Sequence, residues 1–427
     1  MSQTVSHKEN AAIFIFHRDL RIYDNTALIK AIKECTKVYP VFILNPEQID
    51  PSKNPYFSAN GFHFMLESLI ELKKELKITI LNGFNTLPTL CREYDIKKLY
   101  FNRDYTPFAL QREEFYVEMC KKNNIDIVSC DDIVLNAPTE IKAYQKYTPY
   151  YAIASSIKVR TCIAAPSLKT CAKLGNKSVD LVAVAKRIIA QTSPEKQSGG
   201  RKEALRLLHD AASNLPHKYI KTRDTMSLNT SRLSPHLKFG TISPREAYFT
   251  VADSNWRRQL YWRDFYLQLS YHFPHVLKAA STASKSLRSI PKYWRGGKSQ
   301  MERFKEWCEG KTGCPMVDAG MRQLLITGWQ HNRVRMITSS YLVKNLNLDW
   351  TLGERYFAQK LTDYDPANNS GGWQFAIGMD AMPFYRKFSP AEQTKKYDPE
   401  CKYIKKWCPE YEKYNPKEII KICQLMT

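Results

Sequence analysis

Apolar residues in the first ~130 positions fall into short runs: AIFIF (11–15), VYPVFIL (38–44), ITIL (78–81), KKLYF (97–101) and IDIVS (125–129). Each is short and rich in β-branched or aromatic side chains, which reads as buried strand. Stretches of helical period, such as Phe62 to Leu76 and Phe108 to Lys121, lie between them. The alternation predicts a parallel sheet with helices on both faces. No GxGxxG follows the first run, so the usual dinucleotide turn is not expected there. Over 131–200 the periodicity decays. Pro138, Pro149, Pro166 and Pro194 punctuate it and SPEKQSGG closes it, which predicts a long linker with some helix, wrapped over the surface. From Arg201 onward the period is helical almost throughout. The expected fold is an α/β domain over 10–130, an interdomain linker over 131–200 and a larger all-α domain over 201–427.

A chain of 427 residues buries a substantial core. Lys plus Arg number 64 against 42 Asp plus Glu, and the resulting +22 suggests a polyanionic partner. Charge alone does not separate DNA, RNA and membrane headgroups. The eleven cysteines form no CxxC, and Cys308/Cys314 and Cys401/Cys408 are too widely spaced for a common zinc knuckle. No metal site is expected, and the thiols read as reduced. No apolar run approaches 18 residues, and MSQTVSHKEN lacks a signal peptide's apolar core. The expectation is a soluble, intracellular protein with no membrane contact.

Chemistry concentrates between Gly328 and Phe375: GWQHNRVRMITSSYLVKNLNLDW, then LTDYDPANNSGGWQF. Trp329, Asn332, Arg333 and Met336 follow helical spacing, and a second helix is expected to end at Trp350. Asp363, Asp365 and Asn369 then precede Trp373. Polar groups at this density beside large aromatics fit a buried, planar, electron-accepting ligand. Upstream, Gln259, Trp262, Arg263 and Tyr266 stand at i, i+3, i+4 and i+7, placing an amide, an indole, a guanidinium and a phenol on one helical face. A core face would be aliphatic, so a ligand-facing wall is predicted. The run Thr230-Ser231-Arg232-Leu233-Ser234 reads as an N-cap or as an anion site of hydroxyls and a helix N-terminus. FHRDLRIYDNTAL (16–28) reads as a turn held by local ion pairs, with Asp24 or Asn25 capping the next helix.

Together, FHRDLRIYDNTAL, TSRLSPHLKFGTISPRE, the 328–375 block and PAEQTKKYDPECKYIKKWCPE resemble the photolyase/cryptochrome flavoproteins, most closely the class I cyclobutane pyrimidine dimer photolyases. The resemblance covers nearly the whole chain and is weakest over 131–200. It implies FAD in the helical domain, with Tyr219, Arg223, Thr230, Ser231, Arg232, Leu233 and Ser234 about the diphosphate. Arg263 lies nearby, Arg335 pairs with Asp363 beside the ring, and Asp365 holds the ring N3–H or ribityl groups. Asn369 would face flavin N5, where a neutral amide tolerates a reduced, anionic ring better than aspartate does, favouring a repair enzyme over a plant-type photoreceptor. Trp373, Trp350 and Trp294 resemble the family's electron-relaying tryptophans. The resemblance also implies a second, antenna chromophore in the N-terminal domain. Ala109, where folate-binding relatives often carry glutamate, argues against folate there.

By the same resemblance the substrate is UV-damaged DNA, its lesion extruded from the stack into the pocket. Trp262 would stack on the lesion, Asn332 would hydrogen-bond a pyrimidine edge, Met336 would pack against it, and Gln259 would face it. Arg223, Arg263, Arg333, Arg386 and Lys387 are candidates for flanking phosphates. Relatives that repair (6-4) photoproducts carry histidines at the positions of Asn332 and Met336, so cyclobutane dimers are preferred. Gln259 replaces the usual glutamate of dimer enzymes, which keeps an atypical (6-4) enzyme as an alternative, and Phe375, where relatives often carry a second stacking tryptophan, weakens the aromatic wall. The rival from another class is a cryptochrome-like blue-light receptor, usually marked by a C-terminal tail that is not evident here. The protein is expected to be monomeric, without an obligate protein partner, in the nucleoid-associated cytoplasm of a prokaryote or the nucleus of a eukaryote.

Overall fold

The computed structural model describes residues 10–175, 178–215, 218–277, 297–377 and 387–426. Five parallel strands, β1 (Ala11–Phe16), β2 (Lys37–Leu44), β3 (Thr79–Asn82), β4 (Ile96–Asn102) and β5 (Asp126–Cys130), form one sheet in the order β3-β2-β1-β4-β5. Each lies within a residue or two of its apolar run. All six residues of β1 are buried, as befits a central strand covered on both faces. Its side chains alternate between two cores: Ala12, Phe14 and Phe16 pack into one, Ala11, Ile13 and Ile15 into the other.

The chain order switches where β1 pairs with both β2 and β4, and parallel sheets open a crevice at the carboxyl ends of such strands. The segments leaving β1 and β4 carry Arg18 and Asp104, which meet at 3.3 Å. Asn25, not Asp24, caps the Thr26–Glu34 helix by accepting from the Leu28 amide. Asp24 instead takes a positive φ of 53° and accepts from Ser243 and Arg245 of the helical part. The turn after β1 is therefore a long-range clamp rather than a local one.

The 131–200 segment is more than a surface wrap. Its Tyr147–Ala154 helix sends Tyr147, Tyr150 and Ala154 into a core with Leu260, Tyr261 and Phe265, and its Leu181–Ile188 helix packs Leu181 and Ile188 into the sheet-side core. Among the described residues beyond 201, every regular element is helical. Two helix assignments are corrected. Trp350 opens the Trp350–Lys360 helix, with Asp349 as the cap accepting from the Thr351 amide at 2.7 Å, rather than ending one. Trp329 lies in the turn before the Asn332–Lys344 helix, whose cap is His331, so it does not share that helix's face. No described helix is long and apolar enough to cross a membrane.

Candidate functional site

Helices of the C-terminal part and the loops between them line a cavity of about 540 Å³, a size typical of small-molecule and cofactor sites. The Ser254–His272 helix turns Gln259, Trp262, Arg263 and Tyr266 toward it, as their spacing predicted. Asn332, Arg333, Arg335 and Met336 come from the Asn332–Lys344 helix, and Asn369, Trp373 and Phe375 from the Pro366–Ile377 helix. Tyr219, Arg223 and the whole 230–234 run line the remaining side, and Asp363 and Asp365 enter from the loop ahead of the last helix. Close approach of these walls needs glycine twice. A Cβ on Gly371 would overlap the Tyr266 ring, and one on Gly353 would overlap the Trp373 indole.

Several of these side chains are already engaged. Arg335 donates to both Asp363 oxygens, at 2.8 and 3.1 Å, and the Ser234 hydroxyl donates to Asp363 at 2.6 Å. Asp365 accepts from Arg18 at 2.6 Å and from the Asn368 backbone at 2.8 Å. Burial alone would raise its carboxyl, but Arg18 and Asn368 outweigh that and hold it near about 2. Arg263 donates to the Ile133 and Leu237 carbonyls and to Asp264, and Arg333 to Asp224 at 2.7 Å. Those partners compete with the phosphate role expected for both arginines.

The 230–234 run is not a helix cap. Its following helix, Ser234–Phe239, spans only six residues, Leu233 makes no side-chain cap bond, and Arg232 adopts φ 52°. Arg232 sits 4.2 Å over the ring of Trp329. Trp329 also lines the cavity. Its neighbour His331, also on the wall, is pushed down to about 4 by burial and is neutral at physiological pH.

Asn369 uses its amide nitrogen on Glu354, reaching the carboxylate at 2.9 Å and the carbonyl at 3.1 Å. Oδ1 is then the group that Asn369 can offer to the cavity. Burial raises the Glu354 carboxyl to about 7 despite the Asn369 bond that opposes it. Because the folded value lies above the unfolded one, the protonated carboxyl's contribution is full below about 4.5 and is lost as pH rises through about 7. Glu354→Gln keeps an acceptor for Asn369 and removes the titration. The variant is expected to gain roughly 3 °C in melting temperature over wild type between pH 5 and 8.5. A melting difference that stays constant across that range would mean that Glu354 is ionised throughout.

Trp350 does not reach the cavity. It is buried with Trp373 in one apolar cluster, and neither indole N–H finds a partner among the described residues. Trp307 touches Trp373 edge-on, with centroids 6.2 Å apart. Lys387 is exposed and outside the cavity lining, while Trp294 and Arg386 fall outside the described residues. Residues that sequence reasoning missed include Arg18, Asp224 and Lys238, all on the wall. Burial lowers the Lys238 amine to about 8, helped by Arg18. Its place within the LKFG of the matched motif was the one available signal.

The donor set suits FAD: a carboxylate–guanidinium pair, an amide oxygen, hydroxyls and guanidinium groups around a cavity walled by aromatics. Comparison with known proteins agrees. The model for the DNA photolyase family matches residues 12–168, and that for the FAD binding domain of DNA photolyase matches 256–426. A deoxyribodipyrimidine photo-lyase of Alkalihalophilus pseudofirmus is 32% identical, over 92% of this chain and 86% of that protein. The archaeal photolyase from Sulfolobus tokodaii, solved with two FAD molecules, superposes with a TM-score of 0.85 at 37% identity, covering 96% of this chain and 93% of that one. A Synechocystis cryptochrome does so with a TM-score of 0.85 at 25% identity, over 97% and 92%. With this architecture, this cavity and this extent of similarity, the chain belongs to the photolyase/cryptochrome family.

Proposed function

We propose that this chain is a deoxyribodipyrimidine photo-lyase of the class I kind, repairing cyclobutane pyrimidine dimers in UV-damaged DNA by light-driven electron transfer from FAD held in the cavity. The observation that carries the reading is the presence of Asn332 and Met336 on the same cavity wall system as Trp262. Neither can donate the proton that (6-4) repair requires, while an amide, a thioether and an indole can hold a flat pyrimidine pair. Bound there and reduced, FAD would supply light-driven one-electron chemistry, lending an electron to the dimer and taking it back once the ring has opened. The chain's part is to bind and orient. Arg335 and Asp363, which fix each other, would hold the flavin ring, Asn369 would offer it Oδ1, and Tyr219, Arg223 and Thr230–Ser234 would hold the diphosphate. Trp373 would be the first electron relay, with Trp350 in the same apolar cluster as the next.

Gln259 favours a second reading. Its Nε2 donates to the Asn255 carbonyl at 3.0 Å, and it brings no carboxyl to the cavity, as (6-4) enzymes do not. Oligonucleotides carrying one defined lesion each, illuminated with the reduced enzyme and resolved by chromatography, separate the readings. Conversion of the cyclobutane lesion alone supports the proposal. Conversion of the (6-4) lesion alone favours the second reading, and conversion of neither favours a light sensor.

A second chromophore belongs to this proposal too. In the α/β part, Arg112 is half-buried with Nε and Nη2 unpartnered among the described residues, near His17 and Glu113. An anionic chromophore at the β1/β4 switch point would satisfy it, and the archaeal relative's second FAD is a precedent for one.

A further inference from the structure

We propose that Tyr147 is the positioning residue for the substrate-stacking indole of Trp262, which makes the 131–200 segment part of the substrate site. This rests on the reading that Trp262 stacks on an extruded lesion. The Tyr147 and Trp262 rings lie face to face, centroids 3.5 Å apart and planes 5° from parallel. Tyr147 itself is 5% exposed, and its hydroxyl donates to the Arg258 carbonyl at 3.2 Å, one turn before Trp262 on the same helix. Phe265 and Phe375 meet Trp262 edge-on, at 5.8 and 6.1 Å. Behind Tyr147, Tyr151 stacks at 5.6 Å, and Arg258 lies 4.8 Å over Tyr151.

One indole face is therefore covered by a flat, anchored ring, Phe265 and Phe375 bracket its edges, and Tyr266 lies tilted beside it at 5.9 Å. What remains for a ligand is the cavity side of Trp262. Stacking rewards a wall that is already flat and fixed, because an indole free to turn would lose that freedom on binding. Tyr147 removes the cost in advance. An aliphatic side chain of similar bulk would fill the space without imposing a plane.

The test is equilibrium binding of the FAD-loaded protein, in the dark, to duplexes with and without one cyclobutane dimer. Tyr147→Leu is expected to reduce discrimination for the dimer about fivefold, leaving affinity for undamaged duplex and FAD content unchanged. Tyr147→Phe, which keeps the ring, should stay within about twofold of wild type. In the Trp262→Ala background, Tyr147→Leu should add no further loss. Tyr147→Met replaces the leucine variant if that fails to retain FAD. Wild-type discrimination by the leucine variant, or a full additive loss in the Trp262→Ala background, overturns the inference while leaving the repair reading intact. A wild-type protein that does not discriminate at all removes both, and that is seen before any variant is made.

Discussion

Replacing Asp132 with alanine is expected to destabilise the protein by about 3–5 kcal/mol, the cost of stranding buried charge. Asp132 is fully buried and binds Arg21 at 2.5 Å and Arg245 at 2.9 Å, two guanidinium groups that are themselves 1% and 3% exposed. It also accepts from the Thr26 backbone at 3.0 Å and hydroxyl at 2.7 Å. Burial would raise this carboxyl, but Arg21 and then Arg245 outweigh it and hold it near about 2. A depressed folded value gives stability that is present above the unfolded value of 3.8 and lost as pH falls through about 2. The wild-type advantage in denaturant melts should be flat from pH 5 to 8 and shrink below about pH 4. Removing Asp210 from its exposed pair with Arg206 should change stability by less than about 1 kcal/mol. Equal effects at the two positions would show that the clamp after β1 has no special weight.

Trp373→Phe should slow light-driven reduction of the bound, oxidised FAD by external thiol at least about 100-fold. The indole lines the cavity and backs onto Trp307 and Phe357, with centroids 6.2 and 5.1 Å away, so it is the tryptophan that joins the pocket to the interior. Phenylalanine keeps most of the packing, and FAD content should be unchanged. Dimer repair by chemically pre-reduced enzyme should survive, because the role proposed for Trp373 is to recharge the cofactor and not to touch substrate. Full photoreduction in the variant would reassign the relay to another aromatic. Trp307 is then the first to examine.

Which parts of this molecule could be read from its sequence follows from what periodicity measures. The five strands and the polar face Gln259–Tyr266 were legible because neighbours along the chain carry the pattern. The Arg335–Asp363 pair, 28 residues apart, came through resemblance and is present at 2.8 Å. Arg18 was misjudged as part of a local turn because its partner Asp365 lies 347 positions away, and no local pattern reports such a contact. Trp350 was set at the wrong end of its helix because NLNLDW holds both an apolar alternation and a cap, and Asp349 decides in favour of the cap. Trp329 was set on the helix of Asn332 because its spacing fits, and sequence does not reveal that His331 caps that helix or that Arg232 lies across the indole. The 131–200 segment hid Tyr147 for the same reason: its helix is short and its stacking partner is 115 positions on.

The central claim, repair of cyclobutane dimers by FAD in this cavity, is tested most directly by one comparison. A duplex carrying a single thymine dimer is incubated with the pre-reduced protein in blue light and in darkness, and restored thymines are counted. The account predicts restoration in light and none in the dark. Equal yields in light and dark, or an intact dimer under illumination of a fully FAD-loaded protein, would contradict it.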